Sequence, residues 1–263
     1  MISVAERING MFSDVKKAIV DRNPYPIQEL ARRQSEAGAS FLDLNVGTAA
    51  SDPVAAMKWL VQVTQEATST PLSIDSQKFE VVKAGLEVVK GPSLINSCKG
   101  QAEELDKYIP LALEKNASLV CLTIDKQGIP QDIDKRVEIA ANIVAKATEH
   151  GLEPTRLFID PILFPINVDQ KQPTLILEVF RQIRYISDPP PHIIVGLSNL
   201  SQGTKERSLV NKTFLSMALA AGLDAAVMDV LDEDLMNAAI CTEMILNKQI
   251  YSDSFLKAAR RAG

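Results

Sequence analysis

FLDLNV, at residues 41–46, has the composition of a strand that is buried on both faces and carries polar groups near its end. The runs LSIDS at 72–76, SLINS at 93–97 and LFIDP at 157–161 repeat the pattern of apolar residues followed by a carboxylate or a carboxamide. Strands of a parallel sheet that is covered by helices are apolar on both faces, as these runs are. The repeat therefore predicts parallel strands that end in polar side chains.

Strand-like runs alternate with helix-like segments along the whole chain. Strands are predicted at residues 2–8, 41–46, 72–75, 94–97, 119–124, 157–160, 193–197 and 225–230. Helices are predicted at 26–37, from Asp52-Pro53 onward, and at 78–89, 103–116, 132–150, 173–187, 204–221 and 233–247. Repeated strand–helix units of this kind predict an α/β fold of the (β/α)8 TIM-barrel class. The 263 residues match the ~250 typical of one such domain, so a single domain over 1–263 is expected.

A doubly wound open sheet is the competing architecture. It would require a glycine-rich phosphate loop after the first strand. The sequence ERINGMFSDVKKA at 6–18 does not contain GxGxxG, and this favours the barrel.

Composition excludes several classes of protein. The net charge of -5 argues against nucleic acid as the main partner. No apolar stretch approaches the ~20 residues that span a bilayer, and MISVAERING lacks the basic and apolar regions of a signal peptide. Three widely spaced cysteines, Cys98, Cys121 and Cys241, fit free thiols in a reducing compartment. We therefore expect a cytoplasmic protein with no membrane span.

Polar residues recur where the predicted strands end, and in a (β/α)8 barrel this is the end that carries the active site. They are Glu6, Asn9, Asp43, Asn45, Asp75, Asn96, Asp125, Asp160, Asn199 and Asp229. Histidine is scarce, since only His150 and His192 occur and both are predicted away from the strand exits. A histidine-based metal site and a Ser-His-Asp triad are therefore not expected. The site must work mainly by hydrogen bonds and carboxylates.

Three of these residues suit a flat heterocycle that has both donors and acceptors. An amino-pyrimidinone ring presents an N–H and an adjacent amino group to one carboxylate, and an asparagine can serve the remaining edge. Asp75, Asn96 and Asp160 come from strands that can converge on such a ring. The alternative is that Asp75 and Asp160 only cap the turns that follow them, as aspartate often does.

The motifs themselves resemble those of the pterin-binding methyltransferases. The matching stretches are ERING at 6–10, DLNVG at 43–47, SIDS at 73–76, LINS at 94–97, IDP at 159–161 and GLSNLSQGTKERSLVN at 196–211. The resemblance runs over nearly the whole chain with the motifs in order, and it is strongest to the methyltetrahydrofolate:corrinoid/iron-sulfur protein methyltransferases. Dihydropteroate synthases are similar in fold and pterin pocket, but their Asn-Val-Thr-Pro and Ser-Arg-Lys motifs are absent here.

The resemblance implies a reaction and a set of substrate-binding residues. It implies that the methyl group of 5-methyltetrahydrofolate passes to the Co(I) corrinoid of a separate corrinoid (iron-sulfur) protein, with Asn199 as the catalytic donor of a hydrogen bond to nitrogen 5. The implied substrate-binding residues are Asp75, Asn96, Asp160, Gly196, Ser198, Asn199, Gln202 and Arg207. For Arg207, the alternative is a salt bridge that anchors its loop. Asp43, Asn45, Asp125 and Asp229 are left as residues that shape or hydrate the rim.

The corrinoid is expected to belong to the partner, because no DxHxxG-type segment supplies an axial histidine. Tetrahydrofolate and this corrinoid are used without a tightly bound cofactor. Phe12 and Leu122 are expected to face the corrinoid, although such side chains are more often core. The family also implies a homodimer. Three alternatives stay open: the reverse transfer from a methyl-corrinoid to tetrahydrofolate in a demethylation pathway, a dihydropteroate synthase-like enzyme, and a folate-binding scaffold subunit.

Overall fold

The fold is a closed barrel of parallel strands surrounded by helices, which confirms the predicted TIM barrel. The computed structural model describes residues 1–48 and 50–262. The strands are β1 Ile2–Ala5, β2 Phe41–Asn45, β3 Leu72–Asp75, β4 Ser93–Lys99, β5 Ser118–Leu122, β6 Leu157–Asp160, β7 His192–Gly196 and β8 Ala225–Met228. Each strand pairs with the next in sequence, and β8 closes the barrel on β1.

The helices connect the strands on the outside of the barrel. They are α1 Ser13–Val20, α2 Pro24–Glu36, α3 Pro53–Gln65, α4 Phe79–Leu86, α5 Ala102–Glu114, α6 Ile133–Glu149, α7 Gln172–Ile183, α8 Leu197–Leu200, α9 Arg207–Ala220, α10 Glu233–Ile245 and α11 Phe255–Ala262, with a 3-10 turn at Pro154–Arg156. Asp52 and Asp132 start α3 and α6 by accepting the backbone N–H three residues on. In the described part of the chain, no helix combines the length and the apolar character that a membrane crossing requires.

Two apolar layers hold the barrel. The larger core lies between the strands and the surrounding helices. A smaller cluster fills the barrel from inside and consists of Val4, Leu94, Val120, Phe158, Ile194 and Ala225. Side chains two positions further along a strand point the same way, so Asn96, Leu122 and Asp160 also face the barrel interior, one layer nearer the mouth. The strand alternation thus fills one end of the barrel with apolar groups and leaves polar ones at the other.

Several element boundaries differ from the prediction. β1 ends at Ala5, so Glu6 and Asn9 lie beyond the strand in the loop before α1. β7 ends at Gly196, and Asn199 lies on the one-turn helix α8 and not at a strand end. Asp125 lies three residues after β5, in a turn that it closes by accepting the Gln127 N–H at 2.8 Å. Loops after the strands therefore carry part of what the sequence assigned to the strands.

Candidate active site

A row of polar side chains crosses the mouth of the barrel on three adjacent strands. Asn45 on β2 is the register partner of Asp75 on β3, which in turn is the register partner of Asn96 on β4. The Asn45 amide Nδ2 donates to Asp75 Oδ2 at 2.6 Å. The row is fixed by strand pairing, so these groups are positioned by the hydrogen-bonded strands of the barrel.

Asp43 lies directly below this row, inside the barrel. It is 2 % exposed, and its Oδ1 accepts hydrogen bonds from Ser73 Oγ at 2.6 Å and Asn96 Nδ2 at 3.1 Å. The alternation of β2 places Asp43 and Asn45 on the same inner face while Leu42 and Leu44 face the helices. Asp43 is therefore not a rim residue, as the sequence suggested. It lies below Asn96 and holds the Asn96 amide by accepting its hydrogen bond.

Asp43 and Asp75 are neighbouring carboxyl groups, and the pKa of each is raised. Burial raises the pKa of Asp43 well above its ordinary range, and the neighbouring Asp75 carboxylate raises it further, against the hydrogen bonds from Ser73 and Asn96. Burial also raises the pKa of Asp75, while hydrogen bonds from Asn45 and from Asp43 oppose that rise. Two close, buried carboxyl groups cannot both ionise cheaply, so each favours its protonated form more than an exposed aspartate does.

Asp160 supplies a third carboxyl group, from the opposite part of the mouth. It is the last residue of β6 and the register partner of Leu122 on β5. Its Oδ1 accepts the backbone N–H of Ile162 at 2.7 Å. Burial raises the pKa of Asp160 to about 7, against the lowering effects of this hydrogen bond and of the Arg136 guanidinium. Asp160 can thus change its charge near neutral pH.

Asn199 presents an amide at the rim, next to Gly196. Its side chain is exposed, and a Cβ added at Gly196 would lie 2.8 Å from Asn199 Nδ2. The Asn199 amide therefore occupies the space that any larger residue at position 196 would fill. Ser198, in the same turn, donates from Oγ to Glu6 Oε1 at 2.6 Å, which ties α8 to the loop after β1.

A wide cavity of about 800 Å³ opens at this side of the mouth. Its lining residues come from the loops after β1, β7 and β8 and from α9 and α10: Glu6, Arg7, Asn9, Met11, Phe12, Ser198, Asn199, Gln202, Arg207, Ser208, Asn211, Asp229, Asp232 and Leu235. A volume of this size is ordinary for a small-molecule site. The barrel mouth thus combines a carboxyl-lined floor with an open cavity beside it.

Comparison with known proteins identifies the family. The profile described as pterin binding enzyme matches residues 10–229. The chain belongs to the pterin-binding enzyme family. It is also 35% identical to the methylcorrinoid:tetrahydrofolate methyltransferase of Eubacterium limosum, over 99% of this chain and 97% of that protein. The methyltransferase expected from the sequence is confirmed at this level.

Two further similarities concern a part of a larger protein and the fold. The methionine synthase of Mycobacterium leprae is 30% identical over 87% of this chain, but that match spans only 20% of the synthase. The dihydropteroate synthase from Xanthomonas albilineans, solved with 7,8-dihydropteroate, superposes with a TM-score of 0.65 at 18% identity, covering 94% of this chain and 92% of that chain. At that identity the superposition shows a shared barrel architecture.

Within this pterin-binding enzyme, the predicted site residues fall into two groups. Asp75 and Asp160 are the last residues of β3 and β6, and Asn96 lies in the middle of β4 beside Asp75; all three are at the floor of the mouth. Ser198, Asn199, Gln202 and Arg207 line the cavity, with Gly196 under Asn199. The floor and the cavity are neighbouring parts of one mouth.

Among the residues that the structure describes, Arg207 has no salt-bridge partner of the kind considered as its alternative role. Its guanidinium donates to Ser201 Oγ at 3.2 Å and to the Ser198 carbonyl at 3.3 Å. These bonds hold the α8 turn that carries Asn199, while Gln202 in the same loop stays exposed. Arg207 therefore supports the loop and also lines the cavity.

The two residues expected to face a corrinoid lie in different places. Phe12 is 40% exposed, lines the cavity and packs under the Arg7 guanidinium, whose central carbon lies 4.1 Å from the ring centroid. Neighbouring Met11 is 70% exposed. Leu122 instead points into the barrel at the level of Asp160, so it belongs to the floor. The cavity side is where a large planar ligand could rest.

The histidines lie away from the mouth. His192 starts β7 at the opposite end of the barrel, and His150 ends α6. In residues 1–48 and 50–262, no group of three or more His, Cys, Asp and Glu side chains is arranged to hold a metal ion. The polar groups at the mouth are carboxyl, amide, hydroxyl and guanidinium groups, which can form hydrogen bonds with an organic ligand.

Sequence reasoning missed two contacts of the enzyme's site. One is the Asp43–Asn96 bond, although the alternation in FLDLN already places Asp43 on the inner face with Asn45. The other is the Glu6–Ser198 bond, which joins residues 192 positions apart and leaves no signal in the sequence. Both contacts position residues that the sequence did select.

Proposed function

We propose that this enzyme transfers a methyl group between nitrogen 5 of tetrahydrofolate and the corrinoid of a separate protein. The proposal depends mainly on one observation: carboxyl groups and an amide on the floor of the mouth face the same end of the barrel as the exposed Asn199 amide on its rim. The name of the E. limosum relative supports the same pair of substrates.

The floor recognises the pterin ring. The ionised Asp160 carboxylate accepts from the ring N–H and the adjacent amino group, a bidentate arrangement that is stronger than a single bond. Asn96, held by Asp43, offers its carbonyl oxygen to the ring, and Asp75 accepts a further ring donor. Leu122 beside Asp160 supplies apolar contact to the ring.

Asn199 acts on nitrogen 5. Transfer from 5-methyltetrahydrofolate breaks the bond between nitrogen 5 and the methyl carbon, leaves the electron pair on nitrogen 5, and requires a proton there. A hydrogen bond donated from Asn199 Nδ2 stabilises the charge that develops on this nitrogen. An amide performs this task at any pH, because it does not titrate.

The Asp43–Asp75 pair is the proposed proton source close to the floor. Burial raises the pKa of both carboxyl groups, which favours their protonated forms. Relay from Asp43 to nitrogen 5 requires a water molecule or the Asp75 carboxyl group between Asp43 and the ring. This gives the inward carboxyls a chemical role in addition to holding Asn96.

The partner's corrinoid supplies the cobalt that accepts or donates the methyl group. The exposed Met11 and Phe12 beside the cavity offer an apolar surface to its macrocycle. Because the mouth is open, a large carrier can approach and leave in each cycle. We also propose that a separate corrinoid protein is the partner, that the enzyme forms a homodimer, and that it is located in the cytoplasm.

The direction of methyl transfer defines a second candidate function. The resemblance predicts 5-methyltetrahydrofolate as the methyl donor, whereas the E. limosum relative is named for a methylcorrinoid donor. One site stabilises one transition state in both directions. We propose 5-methyltetrahydrofolate as the donor and keep the reverse transfer as the alternative.

Single-turnover assays test the function. The purified chain is mixed with 5-methyltetrahydrofolate and free reduced cobalamin, and separately with methylcobalamin and tetrahydrofolate, and the visible spectrum of the corrinoid is followed. Methyl transfer in either assay supports the proposal, and their rates at equal concentration compare the two directions. Binding of 5-methyltetrahydrofolate without transfer in both assays would leave a folate-binding scaffold instead.

Gly196→Ala tests whether the position of Asn199 matters. The new methyl group would lie 2.8 Å from Asn199 Nδ2, so the amide must move while the backbone stays. We expect near-normal stability and a transfer rate lower by about 10- to 100-fold, the size of effect that a displacement near 1 Å produces. The measurement is single-turnover transfer by Gly196→Ala, Asn199→Ala and the double variant. If Gly196→Ala acts through Asn199, it adds little to Asn199→Ala; full additivity would contradict the assignment.

Binding of the pterin should strengthen as pH rises. The ring needs the ionised form of Asp160, and burial raises the pKa of that carboxyl to about 7 in the free protein. Below pH 7, binding must therefore release a proton, and the Kd for 5-methyltetrahydrofolate should fall about tenfold per pH unit before it levels off above 7. Calorimetry at pH 6 in buffers of different ionisation enthalpy counts the released proton. A Kd that is constant from pH 5.5 to 8 would contradict this.

A further inference from the structure

The turn after β6 adopts a backbone conformation that its sequence disfavours. Ile162 has a φ of 67°, in the left-handed region that β-branched residues rarely occupy. Its N–H is also the group that donates to Asp160 Oδ1. The orientation of the Asp160 carboxyl therefore depends on a strained turn, and such strain persists only where the surroundings fix it.

Arg136 fixes this turn from the helix side. It lies in the first turn of α6 and is fully buried. Its Nη1 donates to the carbonyls of Pro161 and Ile162, the latter at 2.9 Å, and its Nε donates to the Pro130 carbonyl at 2.9 Å. One guanidinium thus links the loop before α6 to both peptide groups of the turn.

Gln172 fixes the same turn from α7. It is 2% exposed, and its Nε2 donates to the Ile162 carbonyl at 2.7 Å while its Oε1 accepts the Phe164 N–H at 3.2 Å. The Ile162 carbonyl therefore accepts from two buried side chains on different helices. Such a doubly held carbonyl leaves the turn little freedom to relax.

The burial of Arg136 is costly for the fold. Its hydrogen bonds go to backbone carbonyls and not to a carboxylate, and Nη2 is buried with no hydrogen-bond partner within the described residues. The charges of Asp160, Asp132 and Asp169 offset part of this burial without a direct hydrogen bond, and a buried cation held in this way is still unfavourable. A shorter apolar residue would avoid this cost, which indicates that the guanidinium has a function beyond packing.

We infer that Arg136 is a positioning residue for Asp160, whose carboxylate is proposed to bind the substrate. Arg136 acts through the Pro161–Ile162 turn, with Gln172 as a second support. The inference rests on the proposed role of Asp160 in pterin binding. Arg136 contributes in two ways, because it fixes the N–H that orients the carboxyl and places a positive charge behind it. That charge opposes the rise in the pKa of Asp160 that burial causes.

The test measures Asp160 directly. Aspartate is labelled with carbon-13 at the carboxyl group in the full chain, Asp160→Asn identifies the resonance, and its pKa is read from a titration without ligand. In Arg136→Met the pKa of Asp160 should rise above that of the unaltered protein, since both the charge and the support are lost. Arg136→Lys keeps the charge and loses the forked bonds, so a smaller rise is expected, together with a Kd for 5-methyltetrahydrofolate higher by up to about 100-fold.

Arg156→Met is the matched control. The Arg156 guanidinium also donates to two backbone carbonyls, those of Ala112 and Ala117, but at the start of β6 instead of its end. It should lower the melting temperature without changing the pKa of Asp160 or the Kd. An equal effect of Arg156→Met on the pKa would overturn the inference, because it would reveal general loosening.

Two outcomes separate this inference from the proposed function. If folded Arg136→Lys and Gln172→Leu variants keep both the pKa of Asp160 and the Kd, Arg136 is not a positioning residue. If the unaltered protein fails to bind 5-methyltetrahydrofolate while Arg136→Met still raises the pKa of Asp160, the proposed function fails and the positioning of the carboxyl stands.

Discussion

Asn199→Ala is expected to slow methyl transfer by about 10² to 10³, which corresponds to about 2.7 to 4 kcal/mol in the barrier, as for the loss of one donor to a developing charge. The side chain is exposed on a one-turn helix and its removal leaves no cavity, so the fold should be retained. The Kd for 5-methyltetrahydrofolate should change little, because the donor acts mainly in the transition state. Single-turnover transfer and equilibrium binding measure the two quantities separately.

Asn167→Ala is a suitable control for this experiment. Asn167 is another exposed asparagine, on the neighbouring loop after β6, where its amide lies over Gly203 as Asn199 lies over Gly196. It does not line the cavity, so its loss should not affect transfer. Unchanged single-turnover transfer by Asn199→Ala would remove Asn199 from the mechanism.

The strands that end in aspartate were predictable residue by residue. The predicted 72–75 and 157–160 coincide with β3 and β6, ending at Asp75 and Asp160. Such strands are short, apolar on both faces and followed at once by turn-forming residues, so pattern and boundary agree. The floor of the site follows from the same pattern, because the ends of parallel strands lie at one end of a barrel.

Asn199 shows where this reasoning fails. The sequence extends the seventh strand through Leu197, but the chain turns into α8 directly after Gly196. Leu197 is buried either way, so its hydrophobicity does not distinguish a last strand residue from a first helical one. The turn is stabilised by Arg207, which lies in the next helix, and by the bond from Ser198 to Glu6, which joins residues 192 positions apart; neither contact can be deduced from the hydrophobic pattern of the strand.

Arg136 is the clearest case of a residue that the sequence conceals. A charged residue in the first turn of an amphipathic helix is normally solvated. Its burial results from the turn after β6, whose two carbonyls require donors that the turn itself cannot provide. Position on a helix predicts which face is apolar, but it does not predict which polar group another loop will require.

Asp160→Asn separates the two roles that the sequence allowed for Asp160. Asparagine can accept the Ile162 N–H through Oδ1 as aspartate does, so a residue that only caps the turn should tolerate the change. A residue that binds the pterin should not tolerate it, because the bidentate acceptor becomes a single acceptor beside a donor. Asp160→Ala is the companion variant, since it removes both the cap and the ligand.

We expect Asp160→Asn to raise the Kd for 5-methyltetrahydrofolate by about 10- to 150-fold, the equivalent of about 1.5–3 kcal/mol for a lost hydrogen bond to a charged group. The same substitution should increase the stability of the folded protein. Because burial raises the pKa of Asp160 to about 7, the folded state keeps a proton that the unfolded state releases near its ordinary 3.8. The unaltered protein therefore loses folding stability as the pH rises from 3.8 to about 7, and it loses no further stability from this group at higher pH. Melting temperatures from pH 4 to 8 should show Asp160→Asn gaining on the unaltered protein up to pH 7, while Asp160→Ala loses both stability and binding. Normal affinity in Asp160→Asn would show that Asp160 only caps the turn. The gain in stability does not distinguish the two roles, because it follows from the burial of Asp160. Only the loss of binding depends on the ligand.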